Sequence, residues 1–202
     1  VSLSDQSFSF DGNGGYIDVP DIPSSVSFAE GITIDFVADF GSTNNNWERI
    51  IDFGNGNNAQ NIIVAREGTS GDLAFQFFNG DGSFEQSTRV KFSGAIQATG
   101  TLHRYTLVAN GTEIKLFING QLYSDFDASI TKSFTSSNLT DSQQDQSVPD
   151  SVDRVNNFVG KSNWTGDQSF EGSIRHLRVF NYPSSPSTVE VNYETVTFDA
   201  NY

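Results

Sequence analysis

The chain has 202 residues, no cysteine and no methionine, and 25 acidic against 11 basic side chains, for a formal charge of −14. The missing cysteine excludes a disulfide framework, cysteine-ligated zinc, an iron–sulfur cluster and a thiol nucleophile. The charge excludes unassisted binding to nucleic acid, because like charges repel and no basic face is there to release counterions.

Aromatic residues make up 13% of the chain, so a folded core is expected rather than disorder. A chain of this length buries roughly 70% of its unfolded surface and needs no covalent staples. No apolar run approaches the roughly 18 residues of a membrane helix, so no membrane insertion is expected. The absence of Met, even at position 1, reads as an excised domain or a mature fragment of an exported protein.

In chain order, short alternating runs predict strands at residues 6–10, 16–19, 31–40, 48–53, 61–66, 73–78, 89–92, 102–109, 112–119, 157–160 and 173–181. Residues 31–40 place Ile32, Ile34, Phe36, Ala38 and Phe40 on one side, and 112–119 do the same with Ile114, Leu116 and Ile118. A period of two marks a half-buried strand. Asn110-Gly111 and Asn119-Gly120 read as tight hairpin turns, since both residue types tolerate positive φ. Residues 133–153 are rich in Ser, Asp and Gln and hold no Lys or Arg. They predict a long surface loop, functional or simply solvated. Ser187-Thr188-Val189-Glu190 is a capping box that predicts one short C-terminal helical turn. Many short strands with little helix predict an all-β, two-sheet antiparallel sandwich in one domain, residues 1–202, without internal repeat or linker.

Four segments, in order, resemble the laminin G-like or concanavalin A-like jelly-roll family, pentraxins and bacterial adhesins included. The first is Phe10-Asp11-Gly12-Asn13-Gly14-Gly15-Tyr16-Ile17. The second runs from Ile32-Thr33-Ile34-Asp35-Phe36 through Arg49-Ile50-Ile51-Asp52-Phe53-Gly54-Asn55-Gly56 to Asn61-Ile62-Ile63. The third is the hairpin from Leu102-His103-Arg104-Tyr105 to Phe117-Ile118-Asn119-Gly120. The last is Phe158-Val159-Gly160-Lys161-Ser162-Asn163-Trp164 with Phe170-Glu171-Gly172-Ser173-Ile174. The resemblance implies two antiparallel sheets packed face to face, with ligand on the concave sheet and its rim loops. The departures are Leu102-His103, where the family commonly has Trp-His, and the 133–153 insertion.

Catalytic patterns are not found. The concanavalin A-like glucanases usually carry clustered acids on one strand, a paired-carboxylate chemistry. Here Asp35, Asp39 and Glu113 are separate in sequence, His103 and His176 are the two histidines, and nothing resembles a nucleophile elbow. The expectation is a binding module, not an enzyme. The glycine-rich stretches 12–15 and 54–56 precede no helix and read as turns. The sequons at Asn110, Asn138 and Asn163 read as chance in an Asn- and Ser-rich chain.

Calcium takes six to eight oxygen ligands, which loops can supply from Asp, Asn and backbone carbonyls. Residues 55–61 and 162–168 are rich in such groups, although Asn and Gly are also good turn formers. In the family a calcium site commonly lies at one rim. The resemblance carries Asn61, Asp153, Asn163 and Asp167 over as metal candidates, with Gln60 or Asn standing where relatives often have Asp. Asn55, Asn58, Ser162, Trp164 and Gln168 are the ligand-binding candidates: an indole stacks on the apolar face of a sugar while amides and hydroxyls bind its hydroxyl groups. Trp47 reads as a core plug beside a strand. The reading is a calcium-assisted, lectin-like module of a secreted or cell-surface protein, with a glycan or cell-surface polysaccharide as partner. The alternatives are a protein-binding adhesion module and, further off, a polysaccharide hydrolase or lyase.

Overall fold

The computed structural model describes residues 2–4, 7–42, 44–79, 87–97, 99–111, 113–123 and 148–184. Their strands are β1 (Ser2–Ser4), β2 (Ser7–Asp11), β3 (Ile17–Val19), β4 (Ile32–Phe40), β5 (Arg49–Gly54), β6 (Ile62–Arg66), β7 (Leu73–Phe78), β8 (Ser87–Phe92), β9 (His103–Ala109), β10 (Ile114–Ile118), β11 (Gln121–Leu122), β12 (Asn156–Val159) and β13 (Glu171–Phe180). No helix occurs among the described residues. The predicted helical turn at 187–190, and residues 133–147 of the predicted loop, lie outside them.

The strands form two antiparallel sheets, a seven-stranded one in the order β1-β2-β13-β4-β9-β10-β11 and a six-stranded one in the order β3-β12-β5-β6-β7-β8. Sequence neighbours are interleaved across the sheets, so the whole is an all-β jelly-roll sandwich. The inner faces meet in one core. β4 contributes Ile32, Ile34, Phe36, Ala38 and Phe40, the set its alternation predicts, and β9 adds Tyr105, Leu107 and Ala109. Rings pack edge to face through it, as in Phe40 against Phe170 at 5.4 Å and Phe10 against Phe170 at 5.6 Å. Burying each such ring contributes about 1.5–3 kcal/mol.

The Asn119-Gly120 turn joins β10 to β11 with φ of 51° and 80° at its two residues, the double positive φ of a two-residue hairpin. At the other predicted turn the backbone closes between Asn110 and Glu113, and the Asn110 carboxamide oxygen accepts the Glu113 N–H at 2.8 Å. Asn110 therefore stands just before that turn, one place earlier than predicted. Gly160, at φ 82°, ends β12 where a Cβ would stand 2.5 Å from the Phe10 ring.

Strands β5, β6 and β7 depart from simple alternation, because every residue in them is buried. Their outer face, turned away from the main core, carries a second cluster of Ile63, Ala65 and Phe78, packed under Trp47 and Trp164. Two β-bulges bear on placement. One lies between Arg49 and Ile51 and sets Arg49 and Asp52 on the same outer face. The other lies between Arg175 and Arg178, with His176 at φ 51°, so His176 sits at a bulge inside β13. On the outer face of the seven-stranded sheet Asp35, separate from other acids in sequence, is fully buried between two guanidiniums, Arg104 Nε at 2.8 Å and Arg178 Nη2 at 2.5 Å.

Candidate functional site

The polar centre of the six-stranded sheet is Asp52, fully buried on the outer face of β5. A carboxylate there stands only if its lone pairs are met. Asn163 donates its backbone N–H to Oδ2 at 2.9 Å and its Nδ2 to Oδ1 at 2.9 Å, and Asn61 donates its Nδ2 to Oδ1 at 2.8 Å. Arg49 Nε lies 3.5 Å from Oδ2. Burial pushes the Asp52 carboxyl up, against the downward pull of Arg49 and the amide donors. Gly54 leaves the room this needs, since a Cβ there would stand 2.4 Å from Asn61 Nδ2.

Arg49 joins this centre to the loops. Its Nη2 meets Asp167 Oδ2 at 2.7 Å and its Nη1 donates to the Trp47 carbonyl at 2.9 Å. Its guanidinium lies 5.4 Å from the ring centres of both Trp47 and Trp164. The result is a stacked group, one guanidinium set over both indoles, beside the apolar patch of β6 and β7, with Trp164 5.5 Å from Phe78. Arg89 extends it, 5.6 Å from the Trp47 ring and 3.4 Å from Glu67. Both indoles are half-buried, so each keeps surface in solvent. Ser162 donates its hydroxyl to Asp167 at 2.7 Å and accepts the Trp164 N–H at 3.0 Å, which fixes the loop that carries Trp164. Gln168, exposed, accepts the Asn46 N–H at 2.5 Å and so ties that loop to the one bearing Trp47.

Of the four metal candidates, Asn61 and Asn163 come together on Asp52, which sequence reading did not single out. Asp167 lies beyond Arg49, and Asp153 stands apart, exposed, accepting the Ser24 N–H at 2.6 Å. Asn61 and Asn163 turn their nitrogen donors toward Asp52, and a guanidinium contacts both Asp52 and Asp167. Among the described residues no three His, Cys, Asp or Glu side chains group as metal ligands. Nearby, Asn58 Oδ1, Gln60 Oε1 and Asn61 Oδ1 are buried without a hydrogen-bond partner, but they are neutral, and calcium affinity grows with the charge of the ligand set. Asn55 is spent on the fold. It donates to the Asp153 carbonyl at 2.6 Å and accepts the Val155 N–H at 3.0 Å.

Three carboxyls in and beside this sheet share one perturbation. Burial is the largest effect on Glu48, Asp52 and Glu67, and it pushes each of them up. Glu67 Oε2 is buried without a hydrogen-bond partner, in keeping with that direction. In the window from the ordinary carboxylate range up to these raised values, the folded chain holds more protons than the unfolded one, so stability falls as pH rises through it. The melting temperature is therefore expected to increase as pH is lowered from 7.5 toward 5, and relief of the self-repulsion at −14 acts in the same direction. Melting curves across that range check it; a steady fall on acidification would show that the carboxylates are better stabilised folded than unfolded.

A family model described as the concanavalin A-like lectin/glucanases superfamily, of laminin G type, matches residues 11–144. No curated protein matches the chain. Among solved structures, the chain is similar to the CBM40 module of the Ruminococcus gnavus IT-sialidase, at 19% identity and a TM-score of 0.54, covering 87% of this chain and 95% of that one. It is similar to domain 4 of AbnA, an extracellular arabinanase from Geobacillus stearothermophilus solved with arabinotriose, at 17% identity and a TM-score of 0.55, covering 90% and 73%. It is also similar to domains LG4-5 of the mouse laminin alpha1 chain, at 16% identity and a TM-score of 0.52, covering 86% and 40%.

Proposed function

The chain belongs to the concanavalin A-like lectin/glucanases superfamily, and on that premise we propose that it is a noncatalytic glycan-binding module of a secreted or cell-surface protein. The observation that carries the reading is the Trp47–Arg49–Trp164 stack on the outer face of the six-stranded sheet. A sugar ring presents apolar C–H groups on its faces and hydroxyls at its rim. The stack offers half-buried indole surface for the former, with Gln168 and Arg89 beside it for the latter. Because Arg49 is held by Asp52 and Asp167, and Trp164 by Phe78 and Ser162, the platform is ordered before ligand arrives, which lowers the entropic cost of binding. Similarity to modules solved with sialyllactose and arabinotriose supports a sugar as ligand.

The noncatalytic part rests on how the buried acids are used. Asp35 is held by Arg104 and Arg178, Asp52 by Arg49 and two asparagines, and Glu48 by Arg66 at 2.8 Å. A glycosidase needs two carboxyls free to exchange protons or attack across one bond.

Calcium is left out of this reading, because Asn61 and Asn163 donate to Asp52, Asp167 pairs with Arg49, and Asp153 stands apart on Ser24. The test is a glycan array probed with the pure chain in calcium and again in chelator. Binding to a defined set of glycans, equal in both conditions, is the expected result. Binding to none overturns the glycan reading. Binding lost in chelator overturns the calcium-free one and points to the unpartnered oxygens of Asn58, Gln60 and Asn61.

A further inference from the structure

A second aromatic group lies on the same outer face, near the open edge of the six-stranded sheet. Tyr16, just before edge strand β3, is 41% exposed. Its ring meets that of Phe158 edge to face at 5.3 Å. The Lys161 ammonium sits over both rings, 4.0 Å from the centre of Tyr16 and 4.3 Å from that of Phe158. Such cation–π contacts fix a lysine that would otherwise sample many rotamers. Among the described residues, Lys161 has no carboxylate within ion-pair distance, whereas Arg49, Arg66, Arg89, Lys91, Arg104, Lys115 and Arg178 each have one. In a chain with 25 acids and 11 bases, an ordered ammonium left without a carboxylate is a vacancy for an external anion. Asp18, exposed and paired with Phe158 across the strands, adds an acceptor suited to a hydroxyl.

We infer that Tyr16, Phe158 and Lys161 form a second subsite, which takes a sugar unit carrying a carboxylate or sulfate group. The inference rests on the glycan-binding reading above and extends it to the kind of glycan. Phe158 on β12 and Phe78 on β7, beneath Trp164, are three strands apart across β5 and β6, or roughly 14 Å. That is too far for one sugar ring to bridge, so a ligand touching both places is an oligosaccharide with an anionic unit at the β3 side. Between them the Asn163–Asp52 contact closes the face, so the two subsites are separate and can be altered one at a time.

The test is titration calorimetry with acidic oligosaccharides of two to six units prepared from polygalacturonate and from heparin, and with carboxyl-reduced polygalacturonate fragments. It uses the unaltered chain, Lys161→Met and Trp164→Ala, after melting curves have shown each variant folded. For the unaltered chain, affinity is expected to rise with length past the disaccharide, to favour the acidic over the reduced fragments and to weaken with salt. Lys161→Met is expected to lose about tenfold on the longer acidic probes, the worth of one hydrogen-bonded charge, with a shallower salt dependence and no change on the reduced ones. The galacturonate and heparin arms tell carboxylate from sulfate. Lys161→Met matching the unaltered chain on every probe overturns the inference, as does failure of the unaltered chain to bind any acidic probe. If glycans are still bound in either case and Trp164→Ala still weakens them, the second subsite fails alone. If neither these probes nor the array show any binding, the glycan reading itself fails.

Discussion

Replacing Asp52 with alanine is expected to lower the melting temperature by about 10 °C or more, the largest stability loss of any single change proposed here. The side chain is fully buried and accepts hydrogen bonds from Asn61 and Asn163, with Arg49 beside it. Removing it leaves the Asn163 backbone N–H and the Asn61 and Asn163 side-chain amides without their acceptor in a buried place, and takes from Arg49 one of its two carboxylate neighbours. Breaking a buried charged group away from its partner costs about 3–5 kcal/mol. For a chain of this size each kcal/mol moves the midpoint by roughly 2–4 °C. Asp153→Ala is the matched control. That carboxylate is exposed, and a surface change is worth within about 0.5 kcal/mol, even with the loss of its bond to Ser24. If the two variants melt together, the outer face is not organised by Asp52 and the platform above it has a different support.

Replacing Trp164 with alanine is expected to weaken glycan binding by roughly 30-fold, about 2 kcal/mol, the size typical of a tryptophan at the centre of a binding surface. The loss has two sources. One is the indole surface offered to the sugar; the other is release of the Arg49 guanidinium, which the ring covers at 5.4 Å. Trp164→Phe separates them, since a smaller ring still covers the guanidinium and the Phe78 side chain; it is expected to recover part of the affinity. Titration of a glycan identified on the array, at a temperature well below each variant's melting point, is the measurement. Unchanged affinity in Trp164→Ala would move the binding surface away from this stack, and the rim near Asn55 and Asn58 would be the next place to alter.

Much of the fold is legible in the residues. The strand from Ile32 to Phe40 could be read directly, because five apolar side chains at a period of two leave a half-buried strand no other arrangement. Short strands such as β1 and β11 were not, since Ser2–Ser4 and Gln121–Leu122 carry no alternation and owe their place to pairing with a neighbour. In the candidate site, composition singles out Trp164 and the residues around it, an indole among amides and hydroxyls. Trp47 was read as a core plug; it is half-buried, one wall of the same stack. Asp52 and Arg49 were passed over because they lie inside an apolar run, where charged residues look like interruptions rather than the organising pair. An opposite charge three residues away, in a strand whose other side chains are Ile and Phe before a closing Gly54, is the available signal.

The sequence by itself determined the class of the fold, the inner faces of the long strands and the absence of cysteine chemistry, because these follow from period, composition and local turn preference. Only the tertiary structure decided what the polar residues do. A strict alternation puts Arg49 and Asp52 on opposite faces; the bulge between Arg49 and Ile51 puts them on the same one. Asn61 and Asn163 are 102 positions apart, and they meet because β12 pairs with β5 and β5 with β6, bringing the loop after one strand over the start of another. Once there, a buried carboxylate takes hydrogen-bond donors in preference to leaving its lone pairs unmet, so residues with the chemistry of metal ligands became its support.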